Sequence, residues 1–185
     1  RLIRSKNFLK IINNKNCLEF INLIFPQLKN IRIFKNLNIF AKENFTKVDF
    51  IFLLSLMIID GTDNVDYFIY KFNLSKKDQK RLKFLNNFYF DKITKKIFSE
   101  KNLNKILYFH GKEALMDIIY FTIFSSKKVD QKLTDLIEIY KDKKTPLMPL
   151  RAITLMTKYN LQEGKDLGVK LKAIEELWVD NSFTI

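Results

Sequence analysis

Cysteine, histidine, proline and glycine, the residues that staple or punctuate a small protein, are nearly missing: 185 residues hold one Cys, one His, three Pro and four Gly. A lone Cys17 excludes an internal disulfide, and beside the single His110 it excludes a Cys/His zinc cluster. The longest apolar run, Phe50 to Ile59, is about half of the roughly 20 residues that a membrane span needs, and Ser55 interrupts it. It reads as a buried helix. Neither a glycine-rich phosphate loop (G-x-x-x-x-G-K-[ST] or G-x-G-x-x-G) nor a G-x-S-x-G nucleophile turn occurs. The sequence opens at Arg1 without an initiating Met, so a piece of a longer protein is expected.

What is present is apolar and basic. The chain is 47% hydrophobic and 29% charged, with 33 Lys and Arg against 20 Asp and Glu, a net +13. That excess points to an anionic partner, although only five of the 33 are Arg and the wealth of Lys, Asn, Ile and Phe matches an A/T-rich coding sequence. Distribution is therefore more telling than the total. Residues 1–60 carry +6, 61–70 carry −2, 71–112 carry +9 and 113–185 carry 0. The density of Lys71 to Lys112 suits the neutralisation of phosphates; the competing reading is a solvated face.

Apolar residues recur at helical spacing along the chain, and alternating runs bounded by Asn-Gly turns do not occur, so the fold class is all-α: a multi-helix bundle with a smaller C-terminal helical tail. Helices are expected over Asn7–Gln27 with a break at Asn13-Asn14, over Lys29–Lys42, and over Thr46–Ile59 as the centre of the bundle. Further helices follow from Thr62 to Phe72, from the Ser75/Asp78 cap to Phe88, from Leu103 to Phe109, from Lys112 to Phe124 after a break at Gly111, and from Asp130 to Lys141. Phe52, Leu56, Leu115, Ile119 and Phe124 should be buried. Lys141 to Pro149, with two of the three prolines, reads as a linker between a body of residues 1–143 and a tail of residues 144–185.

Catalytic signals are scarce. His110 has no evident nucleophile or carboxylate partner, and Asp60, Asp63 and Asp66 depart from the D-x-D-x-D-G calcium pattern and read as caps. The pairs Glu113/Asp117 and Glu175/Glu176 read as solvent-facing or cap-adjacent. No catalytic residue and no metal ligand is assigned.

Four stretches, in order, do carry a resemblance. They are Leu74-Ser75-Lys76-Lys77-Asp78-Gln79-Lys80-Arg81-Leu82, Leu107-Tyr108-Phe109-His110-Gly111-Lys112-Glu113-Ala114, Pro149 to Met156, and Gly164-Lys165-Asp166-Leu167-Gly168 leading to Ile174-Glu175-Glu176-Leu177-Trp178 and Phe183. Together they resemble the C-terminal helical body and tail of class II CCA-adding tRNA nucleotidyltransferases and the related bacterial poly(A) polymerases. Ala152 and Thr154 stand where that family has Gly and Asp.

The resemblance implies a cytoplasmic protein that holds tRNA or another RNA through phosphate and sugar contacts. The catalytic head, with its Gly-Ser loop and Asp-x-Asp carboxylates for Mg²⁺ and nucleoside triphosphates, has no counterpart in this sequence and is expected as a partner in cis or in trans; no cofactor is assigned to the chain itself. The residues expected at RNA are Lys76, Lys77, Lys80, Arg81, Lys83 and Lys112, with Lys165, Lys170 and Lys172 in the tail. Whether CCA or poly(A) is added stays open. The alternative is a basic helical protein-interaction module with no specific RNA role. A peripheral membrane helix would need Phe84, Leu85, Phe88 and Tyr89 exposed beside Lys76–Lys83, whereas these four are expected in the core.

Overall fold

The computed structural model describes residues 3, 5–91 and 97–184. All regular secondary structure among them is helical, which makes the protein an all-α, multi-helix fold. The chain divides into two compact units, Arg1–Thr94 with Met116–Lys141, and Lys95–Leu115 with Asp142–Ile185.

In the first unit the expected long N-terminal block is two helices, α1 (Lys6–Asn13) and α2 (Lys15–Ile24). Asn14 ends one and caps the other, accepting from Cys17 N–H at 3.1 Å, because its short amide satisfies a free donor at a helix start. The expected helix over Lys29–Lys42 is not continuous: a 3₁₀ segment, Ile31–Asn36, precedes α3 (Ile39–Asn44). Its cause is Asn38, whose Oδ1 caps α3 by accepting from Ala41 N–H while its Nδ2 donates to the carbonyls of Ile123 and Ser126 at 2.7 and 2.9 Å. Likewise α4 (Phe50–Ile58) begins later than Thr46, since Asp49 caps it through Phe52 N–H.

Every side chain from Phe52 to Ile58 is buried, so α4 is the centre of this unit, packed against the 3₁₀ segment, α5 (Asn64–Phe72) and α6 (Lys76–Asp91). Its Phe52 meets Tyr120 and Phe124 edge-on, at centroid distances of 6.3 and 5.3 Å. Those two rings belong to α7 (Glu100–Ser125), and α8 (Gln131–Tyr140), capped by Asp130, closes the unit. The five residues expected in the core are all buried.

Within α7 the break expected at Gly111 is present, with φ +83° and ψ 171°. The part before it belongs to the second unit, together with α9 (Ala152–Tyr159) and α10 (Lys165–Asp180). Trp178 and Val179 of α10 and Leu103 and Leu107 of α7 are buried there. Beyond α10 the chain turns back through Ser182 and Phe183, both at positive φ, and Phe183 N–H donates to Trp178 O at 2.8 Å.

Candidate nucleic-acid interface

The start of α6 is a reciprocal cap. Ser75 Oγ accepts from Asp78 N–H at 3.2 Å and donates to Asp78 Oδ2 at 2.6 Å, which fixes the helix to begin at Lys76. With Leu82 and Leu85 fully buried, the helical repeat leaves Lys76, Lys80 and Lys83 on one outer face, all exposed, and Lys77 exposed on the next. Among the described residues Lys76 and Lys80 have no carboxylate partner. Lys83 Nζ lies 3.3 Å from Asp66 Oδ1 with both side chains more than half exposed, a pair worth under about 1 kcal/mol and easily exchanged for another anion.

Arg81 departs from this set. It is turned inward, 15% exposed, and its guanidinium binds Asp117 twice, Nε to Oδ2 at 2.6 Å and Nη2 to Oδ1 at 2.7 Å, while Nη2 also reaches Asp49 Oδ2 at 2.7 Å. With both edges of the fork taken by carboxylates, it is a brace between α6, α7 and the α4 cap rather than a phosphate ligand. Burial opposes its charge, but Asp117 and then Asp49 raise its pKa. Burial also opposes ionisation of Asp49, yet hydrogen bonds from Arg81 and from Phe52 N–H hold its carboxyl below the usual range. Asp117, expected at the surface with Glu113, is buried, because Arg81 supplies the compensating charge.

The remaining expected residues lie in the second unit. Lys112 is exposed next to Gly111; Lys165 opens α10; Lys170 borders an apolar cavity; Lys172 stands 3.9 Å from Glu176. Glu175 is not the solvent-facing acid expected from sequence. It accepts from Tyr108 Oη at 2.5 Å, and the Tyr108 ring meets Trp178 and Phe183 at 5.6 and 6.0 Å, so residues from separate motifs form one cluster. Desolvation, then the Glu175 hydrogen bond and charge, push the Tyr108 hydroxyl up to about 12. Lys101 and Lys105 both pair with Asp180.

Part of the basic stretch, Lys92, Lys95 and Lys96, lies outside the described residues. Of the four apolar residues beside the α6 lysines that were expected in the core, Leu85 and Phe88 are buried, Phe84 is half-buried and Tyr89 is exposed. Asp60 and Asp66 of the acidic loop do not converge: Thr62 and Lys29 engage the first, Lys83 the second. Among the described residues no three His, Cys, Asp or Glu side chains gather as metal ligands. No helix among them is long and apolar enough to cross a membrane.

Comparison with protein-family models, with curated proteins and with solved structures returns no match. The geometry itself offers point charges on the first turns of a capped helix. Such an array attracts phosphates without reading bases.

Proposed function

We propose that the chain is the RNA-holding helical body and tail of a cytoplasmic tRNA nucleotidyltransferase or bacterial poly(A) polymerase, positioning an RNA 3′ end for a catalytic head. The observation that carries this reading is the outer face of α6, where Lys76 and Lys80 are exposed without a carboxylate partner among the described residues. Lysines left uncompensated beside a helix N-terminus form an electropositive surface that suits a phosphate backbone. The clustering of Tyr108, Glu175, Trp178 and Phe183 also supports it, because these residues of the resembling stretches act together in one small core.

The test is binding of the isolated chain to tRNA and to a tRNA lacking its acceptor arm. The reading expects a clear preference for the intact molecule. Equal, weak binding to both would favour the protein-interaction module. That second reading has its own observation: in the second unit an apolar cavity of about 630 Å³ is lined by Leu150, Leu155, Tyr159, Ile174 and Trp178, with Leu147 nearby in sequence and 90% exposed.

A further inference from the structure

The apolar cavity of the second unit presents uncovered hydrocarbon beside a single charge. Its walls are α9, with Leu155 and Tyr159 one turn apart, and α10, with Ala173, Ile174 and Trp178, while the segment Met148 to Leu150 closes a third side. Leu155 and Trp178 are buried. Apolar surface nevertheless remains open to a ligand: Ile174 is 36% and Tyr159 67% exposed, Pro149 and Ala173 are exposed, and Met148 and Leu150 are half-buried.

The packing of α10 fixes which side of it lines the cavity. Glu175 accepts from Tyr108 Oη, and the Trp178 ring meets Tyr108 and Phe183 at 5.6 and 5.1 Å, so that side of the helix is turned inward. Lys170, Ala173 and Ile174 follow one another at helical spacing along the cavity, and Leu177, 63% exposed, stands on the same face. Among the described residues Lys170 is the one charged group in the lining, and no carboxylate pairs with it.

Three properties select the occupant. Exposed apolar walls call for hydrocarbon, because each methylene they cover leaves water with a gain. A volume of about 630 Å³ holds about twenty heavy atoms if each takes roughly the 30 Å³ of one water in the liquid, which admits one alkyl chain and not the two of a membrane lipid. One unpaired ammonium at the edge calls for one small anionic head. We infer that this cavity binds a fatty acid, its chain along the apolar walls of α9 and α10 and its carboxylate beside Lys170. That gives Lys170 a ligand other than RNA. The inference goes beyond the tRNA reading and rests on none of the α6 lysines.

The single tryptophan, Trp178, lines the cavity and reports on it. Its fluorescence is followed while the 185-residue chain is titrated with octanoate, decanoate and dodecanoate below their micelle concentrations. A saturable change is expected, with affinity rising about twofold to fourfold for each added methylene. Dodecyltrimethylammonium, the same chain with a cationic head, should bind about tenfold or more weaker than dodecanoate. Lys170→Glu should remove most of that preference, whereas Lys76→Gln with Lys80→Gln should keep it. Ile174→Asn, at an exposed position, should weaken dodecanoate about fivefold or more. Dodecanoate that gives no saturable change, that binds no tighter than octanoate, or that binds Lys170→Glu and Ile174→Asn as it binds the wild type overturns the inference and returns the cavity to the protein-interaction reading. Binding of tRNA through α6 can hold or fail independently of this result.

Discussion

Arg81 and Asp117 form a two-point ion pair across 36 residues of sequence, with contacts of 2.6 and 2.7 Å and both side chains largely out of solvent. Removing one partner strands a buried charge, which costs roughly 3–5 kcal/mol, whereas replacing both with apolar groups of similar volume is often neutral. Arg81→Ala should therefore shift the urea midpoint strongly downward, and Arg81→Met with Asp117→Leu should recover most of the loss. An Arg81→Ala protein that unfolds at the wild-type midpoint would show that the pair is not structural.

Asn38 does two jobs at once, capping α3 and satisfying two carbonyls near the end of α7. Asn38→Ala removes the α3 cap and the amide donor to both carbonyls, of which Ile123 O keeps its bond from Ser126 N–H, and stability should fall by roughly 1–3 kcal/mol. Calorimetric melting checks this; a melting temperature equal to the wild type would contradict it.

These two residues mark where sequence reading stopped. Strong local signals were legible: the almost wholly apolar α4, the break at Asn13-Asn14, the cap at Ser75, a helix beginning by Asp130 and the break at Gly111 all stand where periodicity and capping chemistry put them. Arg81 was misread because a basic run gives no hint that its one arginine has acidic partners on α7 and before α4. Asp117 and Glu175 were misread for the same reason, since their partners are brought by tertiary packing. Asn38 and Asn64, which donates to the carbonyls of Gln27 and Ile58, were hidden by a composition full of asparagine. The α6 lysines were placed correctly on the surface because Leu82 and Leu85 fix the inner face; their ligand is a matter for binding experiments.

Two glycines of the second unit should respond in opposite ways to alanine. A Cβ meets nothing within 4 Å at either Gly111 or Gly168, so only the backbone decides. Gly111, at φ +83° and ψ 171°, occupies a region that other residues enter at a cost of about 1–3 kcal/mol, so Gly111→Ala should destabilise. Gly168 is inside α10, and Gly168→Ala should stabilise by about 0.5–1 kcal/mol. Denaturant midpoints of both variants moving in the same direction would contradict this account.

The Tyr108 hydroxyl, pushed up to about 12, gives a pH dependence with a definite sign. Its neutral form is favoured in the fold, so its contribution is fully present below the ordinary tyrosine value of about 10 and is lost as pH rises through the folded value. Burial and then Glu138 also raise Tyr120, so a tyrosinate absorbance titration should show more than one tyrosine deprotonating late, and Tyr108→Phe should reduce the amplitude of that late step. An unchanged titration curve in the variant would place the late tyrosines elsewhere.

The salt dependence of tRNA binding tests the central claim most directly. Each lysine that contacts a phosphate releases counterions, so replacing Lys76, Lys80 and Lys83 with Gln should flatten the plot of log affinity against log salt by roughly one slope unit per lost contact. Thermal stability should stay within about 0.5 kcal/mol of the wild type, because all three side chains are exposed. A weaker, flatter response with an unchanged melting temperature is the predicted result; a triple variant with the wild-type slope would mean that α6 presents only a solvated face.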